Sequence, residues 1–280
     1  MKRFMEQLAA FAILAACAGG SGPSSAGPDR ALAHTMPSTN PLAYDVADTV
    51  SVLMDIAGTS VTIEGNSQAM LQLEYAASGG GLRTIVRFTA LTGSFANSMG
   101  PTQTISASDM PGPATVVIGP RGDVTVTDRP AMTETAAQIL GSEAAYLRLF
   151  TRLPGRVVAP GTEWTDTVDI NDQTGEMATQ TRSVVTSVLA GDTMLAGRRL
   201  HVIRSQAQAT TRIAGSNSGF EIRQSLTGTS TAVTLWDAAL GALVERTETT
   251  TMSGTMELPA MNMSGIPVTF ANRQVMRIVR

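Results

Sequence analysis

Reactive side chains are scarce in this chain. Cys17 is its only cysteine, so everything after it lacks both a disulfide and a thiol nucleophile. Lys2 is its only lysine, which removes Schiff-base chemistry, a phosphate-loop lysine and a serine–lysine dyad from the rest of the sequence. Aromatic residues make up 4% of the chain, too few for a platform that stacks sugar rings. The arginines are dispersed and the net charge is −3, which points away from a nucleic-acid partner. No apolar run approaches the roughly 20 residues of a membrane-spanning helix.

What is present begins with Lys2 and Arg3, an apolar run from Leu8 to Ala16, and then Cys17. A basic start, a short apolar segment and small residues at a cleavage point make a secretory signal. Leu14-Ala15-Ala16-Cys17 resembles the lipobox of bacterial lipoproteins. That resemblance implies cleavage before Cys17, acylation of its thiol, and a membrane anchor of two or three chains, each buried methylene adding about 0.8 kcal/mol. An ordinary secretion signal would leave a free thiol in an oxidising compartment. Ala18 lacks the aspartate that marks inner-membrane retention in some bacteria, so the expected location is the cell envelope, on the outer membrane where there is one. Residues 18–40 are rich in Gly, Ser, Pro, Ala and Thr and read as a flexible tether of roughly 25–30 Å, with His34 given no role.

From Tyr44 the pattern changes to period two. Val50–Ile56, Ser60–Glu64, Ala69–Tyr75, Leu82–Phe95, Val116–Ile118 and Val124–Thr127 read as strands, with turns at Gly58, Gly65-Asn66, Gly79-Gly80-Gly81 and Gly119–Gly122. After residue 160 they resume as Trp164–Ile170, Glu176–Leu189, Arg198–Ile213, Phe220–Trp236, Ala242–Glu257 and Asn262–Val279, with Gly191-Asp192 among the turns. Several exceed the usual five or six residues, so a curved sheet or bulges are expected.

One interval, Ala131–Thr151, has helical spacing. Met132, Ala136, Ile139, Leu140, Leu147 and Phe150 recur every three or four residues, Asp128 or Thr133 could cap the start, and Gly141-Ser142 could split it. The expected fold is mainly β: a long, curved antiparallel sheet over residues 42–280 with one central helix, or a helix pair, packed on it. A weak echo between the stretches around Leu82–Thr127 and Phe220–Thr247 allows two pseudo-repeated halves, 42–130 and 156–280, flanking the helical segment 131–153.

Gly155–Thr165, with Pro160-Gly161 and Trp164, resembles the Pro-Gly-x-x-Trp turn and strand of an uncharacterised β-rich family of bacterial lipoproteins. The overall plan is similar to that of lipoprotein carriers and mycobacterial lipid-carrying lipoproteins, without a shared motif. The second resemblance implies an apolar cavity; neither supplies a catalytic residue.

The remaining constellations have plain readings. His201 lies in a strand with no companion base or Gly-x-Ser-x-Gly turn, so no catalytic residue is assigned and an enzyme is not expected. Asp166, Asp169, Asp172 and Glu176 flank a turn without a cation-loop pattern and read as a solvated rim; no metal and no cofactor are assigned. Met252, Met256, Met261 and Met263 could suit Cu(I), but methionines spread through the whole chain fit an adaptable core filler better. Arg121-Gly122-Asp123 spells an adhesion tripeptide where a hairpin turn predicts the same letters. The function expected is a non-catalytic, membrane-anchored envelope lipoprotein. Its ligand would be a lipid or other hydrophobic molecule in an apolar cleft between sheet and helix, lined by Met132, Ala136, Ile139, Leu140, Leu147 and Phe150. The alternative is a protein-binding or structural envelope module without a small-molecule ligand.

Overall fold

A computed structural model describes residues 31–140, 144–217 and 220–279. Leu14, Ala15, Ala16 and Cys17 lie outside the described residues. Alternating β-branched and polar residues form twelve antiparallel strands: β1 (Leu42–Ile56), β2 (Thr59–Ser78), β3 (Gly81–Asn97), β4 (Gln103–Ser106), β5 (Ala114–Ile118), β6 (Val124–Asp128), β7 (Glu163–Thr174), β8 (Met177–Leu195), β9 (Arg198–Asn217), β10 (Phe220–Asp237), β11 (Ala242–Leu258) and β12 (Met263–Val279). Two short helices, α1 (Glu134–Leu140) and α2 (Ala144–Leu147), lie between β6 and β7. The sheet order is β6-β5-β3-β2-β1-β12-β11-β10-β9-β8-β7, with β4 beside β3.

This is an up-and-down meander whose first and last long strands pair. Ala43 to Met54 of β1 run against Val279 to Val268 of β12. A pairing of β6 with β7 would complete a barrel. Instead the sheet is a curled half-barrel open at that seam, and the chain between the two edges carries the helices. Helix α1 touches β4 and β7, and α2 touches β6 and β7.

The expectation of a central helix packed on the sheet is therefore corrected: the helical segment stands in the seam in place of a strand pairing. Thr133 caps α1, its Oγ1 accepting from the Ala136 N–H at 3.3 Å. The apolar stripe then wedges Ala136, Tyr146, Leu149, Phe150 and Leu153 into the main core with Tyr44, Leu71, Leu73, Ile203 and Trp236.

Three local readings also change. Gly65 does not turn the chain; β2 runs through it, and a Cβ there would sit 2.2 Å from the Phe95 ring, so the glycine makes room inside the curl. Gly191 is not the β8–β9 turn but a bulge, where the register shifts between Leu189 and Gly191; the turn comes at Ala196-Gly197. Finally, the fold starts before residue 42. Leu32 is buried and bridges Arg156, the His34 N–H donates to Pro120 O, the Ser38 N–H to Leu240 O, and Asn40 Nδ2 to Tyr75 O. This strap laces the β5–β6 turn, the segment before β7 and the β10–β11 turn across one end of the half-barrel, here called the proximal end.

Candidate functional site

The inner face is read from register. Tyr44, Val46, Asp48, Val50, Val52 and Met54 alternate along β1, opposite Ile278, Met276, Gln274, Asn272, Phe270 and Val268 of β12. The same rows continue through Arg246, Glu248, Thr250 and Met252 of β11. The face thus divides into three levels. The proximal level is the main core. The distal level is a second apolar cluster of Leu226, Met252, Met256, Ile266 and Val268, joined by half-buried Val52, Met54, Ile222, Met263 and Phe270. Between them lies a polar band.

The band is a connected network. Asn272 and Gln274 donate their side-chain amides to Asp48, the latter at 3.1 Å. Arg246, with a side chain only 7% exposed, donates through Nη2 to Gln274 Oε1 at 2.7 Å and to Arg148 O at 2.5 Å. Its Nε faces Glu248 Oε2 at 3.8 Å, and Glu248 Oε1 accepts from Ser230 at 2.8 Å. Burial raises the Asp48 pKa; the Gln274 and Asn272 hydrogen bonds and the Arg148 charge oppose that shift, and Glu248 adds to it. The sequence reading missed this band. Its signal was there: Asp48 is in phase with Val46 and Val50, and Arg246 with Met252 and Met256, so both charges point inward.

The residues named for an apolar cleft lie at or beside the main core. Ala136 and Phe150 are buried, Met132, Ile139 and Leu140 pack half-buried against the core, and Leu147 is half-buried. The cavity beside Leu149 and Phe150 measures about 20 Å³, room for a single water. Tyr146, Leu149 and Leu153 carry the burial that spacing assigned to Leu147, because α2 ends at Leu147 after four residues.

His34, given no role from sequence, lines that small cavity. Its Nε2 donates to Thr151 O at 2.8 Å, and its ring lies edge-on to Trp236 at 5.1 Å and Phe150 at 6.2 Å. Burial lowers its pKa to about 4; the Thr151 hydrogen bond opposes this, Arg152 adds to it and Asp123 opposes it. The native state therefore favours neutral His34. Above the unfolded value of about 6.5 the residue contributes no pH dependence, and between about 6.5 and 4 the unfolded chain binds the proton first. Stability should fall across that window by at most about 3 kcal/mol relative to a His34→Gln variant, a difference read from urea midpoints of the two proteins at each pH. Parallel midpoints would show that the ring is solvated.

The adhesion-like tripeptide is taken up in the seam. Arg121 lies 3.5 Å from Asp166 of β7, Asp123 pairs with Arg152, and Gly122, at φ +81°, lies so close to Thr151 O that a Cβ would be 2.3 Å away. Asp166 and Asp169 are on the edge strand β7, where charge discourages pairing with another sheet. His201 Nδ1 lies 2.6 Å from Asp192 Oδ1 near the β8–β9 turn, an ion-pair site shared with Arg199. Among the described residues no three His, Cys, Asp or Glu side chains group to hold a metal ion, and no helix is long and apolar enough to cross a membrane. Met252, Met256 and Met263 belong to the distal cluster, while Met261 is 53% exposed on the turn before β12.

No family model and no curated protein matches the chain. Similar solved structures include OccK5 (OpdH) of Pseudomonas aeruginosa, at 6% identity over 86% of this chain and 99% of that one, with a TM-score of 0.28. An outer membrane lipoprotein-sorting protein domain from Vibrio parahaemolyticus is 11% identical over 81% and 83%, TM-score 0.17. A DUF1329 family protein from Desulfovibrio piger is 10% identical over 84% and 85%, TM-score 0.15. All three scores are low.

Proposed function

We propose that this chain is a lipid-anchored, non-catalytic module of the bacterial cell envelope that holds an acyl chain or similar apolar molecule against the distal inner face of its half-barrel. One observation supports the ligand: the distal cluster leaves Val52, Met54, Ile222, Met263 and Phe270 half-buried around Met252 and Met256, an adaptable apolar lining, while the proximal end is packed. Support for the anchor is the position of Cys17 after Leu14-Ala15-Ala16. The strap enters the fold at the proximal end, so a tether from Cys17 would reach the body at the end opposite the distal face.

Protein purified from its native envelope should carry lipid detectable by native mass spectrometry, and Ile222→Lys should weaken displacement of a fluorescent fatty acid about tenfold. Absence of co-purified lipid together with no fatty-acid binding sinks the ligand and leaves the protein-binding module, which the small proximal cavity favours. Labelled palmitate should appear on the natural chain and not on Cys17→Ser; no label on either sinks the anchor.

A further inference from the structure

A broad groove lies on the face opposite the core. It measures about 430 Å³ and is lined by Ser51, Thr227, Thr229, Thr251, Ser253 and Thr269, with Ala271 between them. Register places these side chains in two adjacent rows crossing four strands. Ser51, Ala271, Thr251 and Thr229 stand opposite one another in turn across β1, β12, β11 and β10; Thr269, Ser253 and Thr227 form the next row, which Thr210 of β9 extends. All six hydroxyls except the half-buried Ser51 are exposed. Neighbouring strands lie about 4.8 Å apart and successive outward residues about 6.8 Å apart, so the hydroxyls form a regular grid.

Each hydroxyl both donates and accepts, which matches a ligand that presents its own hydroxyls at a repeating interval. Charge is absent inside the groove and sits on its flanks: exposed Glu64 of β2 stands opposite Ser51 at one edge, and two arginines lie beyond the rows. Arg212, one outward position beyond Thr210, and Arg273, one beyond Ala271, are both exposed, and neither has an ion-pair partner among the described residues. The rows they occupy (Gln180, Arg212, Ser225, Thr255; and Thr49, Arg273, Thr249, Thr231) hold no carboxylate. Two unpaired cations at opposite corners of an uncharged hydroxyl groove suit an acidic polymer.

We infer that this groove binds a linear acidic polysaccharide, the threonine grid taking the sugar hydroxyls and Arg212 and Arg273 taking its carboxylates or phosphates. Scarcity of aromatic rings argued against a carbohydrate platform built on stacking; hydrogen bonding to a hydroxyl grid does not need rings. The site is on the other face of the sheet from the apolar ligand, so the two proposals stand or fall separately.

The test is affinity electrophoresis of the full chain through polygalacturonate, with dextran as the neutral control. Polygalacturonate should retard the protein and dextran should not. Thr229→Val/Thr251→Val keeps shape and strand propensity and should weaken retardation on the order of tenfold with an unchanged circular dichroism spectrum. Arg212→Gln/Arg273→Gln, which alters only exposed side chains, should weaken it and flatten its salt dependence. No retardation in either gel, equal retardation by dextran, or retardation unchanged in both double variants overturns the inference.

Discussion

Gly254→Ala should destabilise the protein by on the order of 3 kcal/mol or more, and Gly254→Val should prevent folding at 37 °C. Gly254 faces inward on β11, opposite Leu226 and Val268, and a Cβ there would lie 1.9 Å from Ser225 O and 3.0 Å from Leu226 Cα. Gly228 is in the same position on β10, where a Cβ would lie 2.0 Å from Thr251 O. These are backbone atoms of the neighbouring strand, and a flexible side chain cannot swing aside for them. The two glycines mark where β10 and β11 fold against each other tightly enough to curl the sheet and close the distal cluster over Met252 and Met256. Gly197 is the control. Its φ is +74° but nothing lies within 4 Å of a Cβ, so Gly197→Ala should cost only about 1 kcal/mol of turn strain. Urea midpoints decide the matter, and a Gly254→Ala midpoint equal to that of the natural chain would mean the curl does not depend on that close approach.

Arg246→Met should cost about 3–5 kcal/mol, for an electrostatic reason. The guanidinium is buried and is the cation inside the polar band. Without it, Glu248 loses the opposite charge facing it, and the Gln274 Oε1 and the Arg148 carbonyl lose their donor. Much of that cost should come from stranding Glu248, so Arg246→Met/Glu248→Leu should recover more than half of it. A double variant as unstable as the single one would place the cost in the Gln274 and Arg148 hydrogen bonds instead. The band separates the packed proximal core from the distal apolar lining, so the recovered double variant also tests whether an inward charge at this level limits how far an apolar ligand extends.

Much of this fold was legible one segment at a time. Period-two alternation located every described strand but β4, with β2 read as two pieces, Gly79-Gly80-Gly81 turned β2 into β3, Pro160-Gly161 turned the chain into β7, and Thr133 capped the helix. Those features depend on neighbours a few residues away, where side-chain direction, φ preference and hydrogen-bond supply are set by the residue type itself. The same local rules misread Gly65 and Gly191, since a glycine in a strand is needed for space or for a bulge as readily as for a turn, and only the opposing strand shows which.

By itself, then, the sequence determined a chain of alternating strands with one helical interval, and a body after Cys17 without thiol or lysine chemistry. The tertiary structure decided the rest: β1 pairs with β12, the helices fill a seam between sheet edges, residues 32–40 are strapped across the proximal end, Arg121 and Asp123 are engaged in that seam, and Asp48 meets Arg246 through Gln274. Each of these joins residues far apart in the chain. Such contacts are selected by the loop-closure entropy they must overcome and by the surface they bury together, and neither quantity is written in a local pattern.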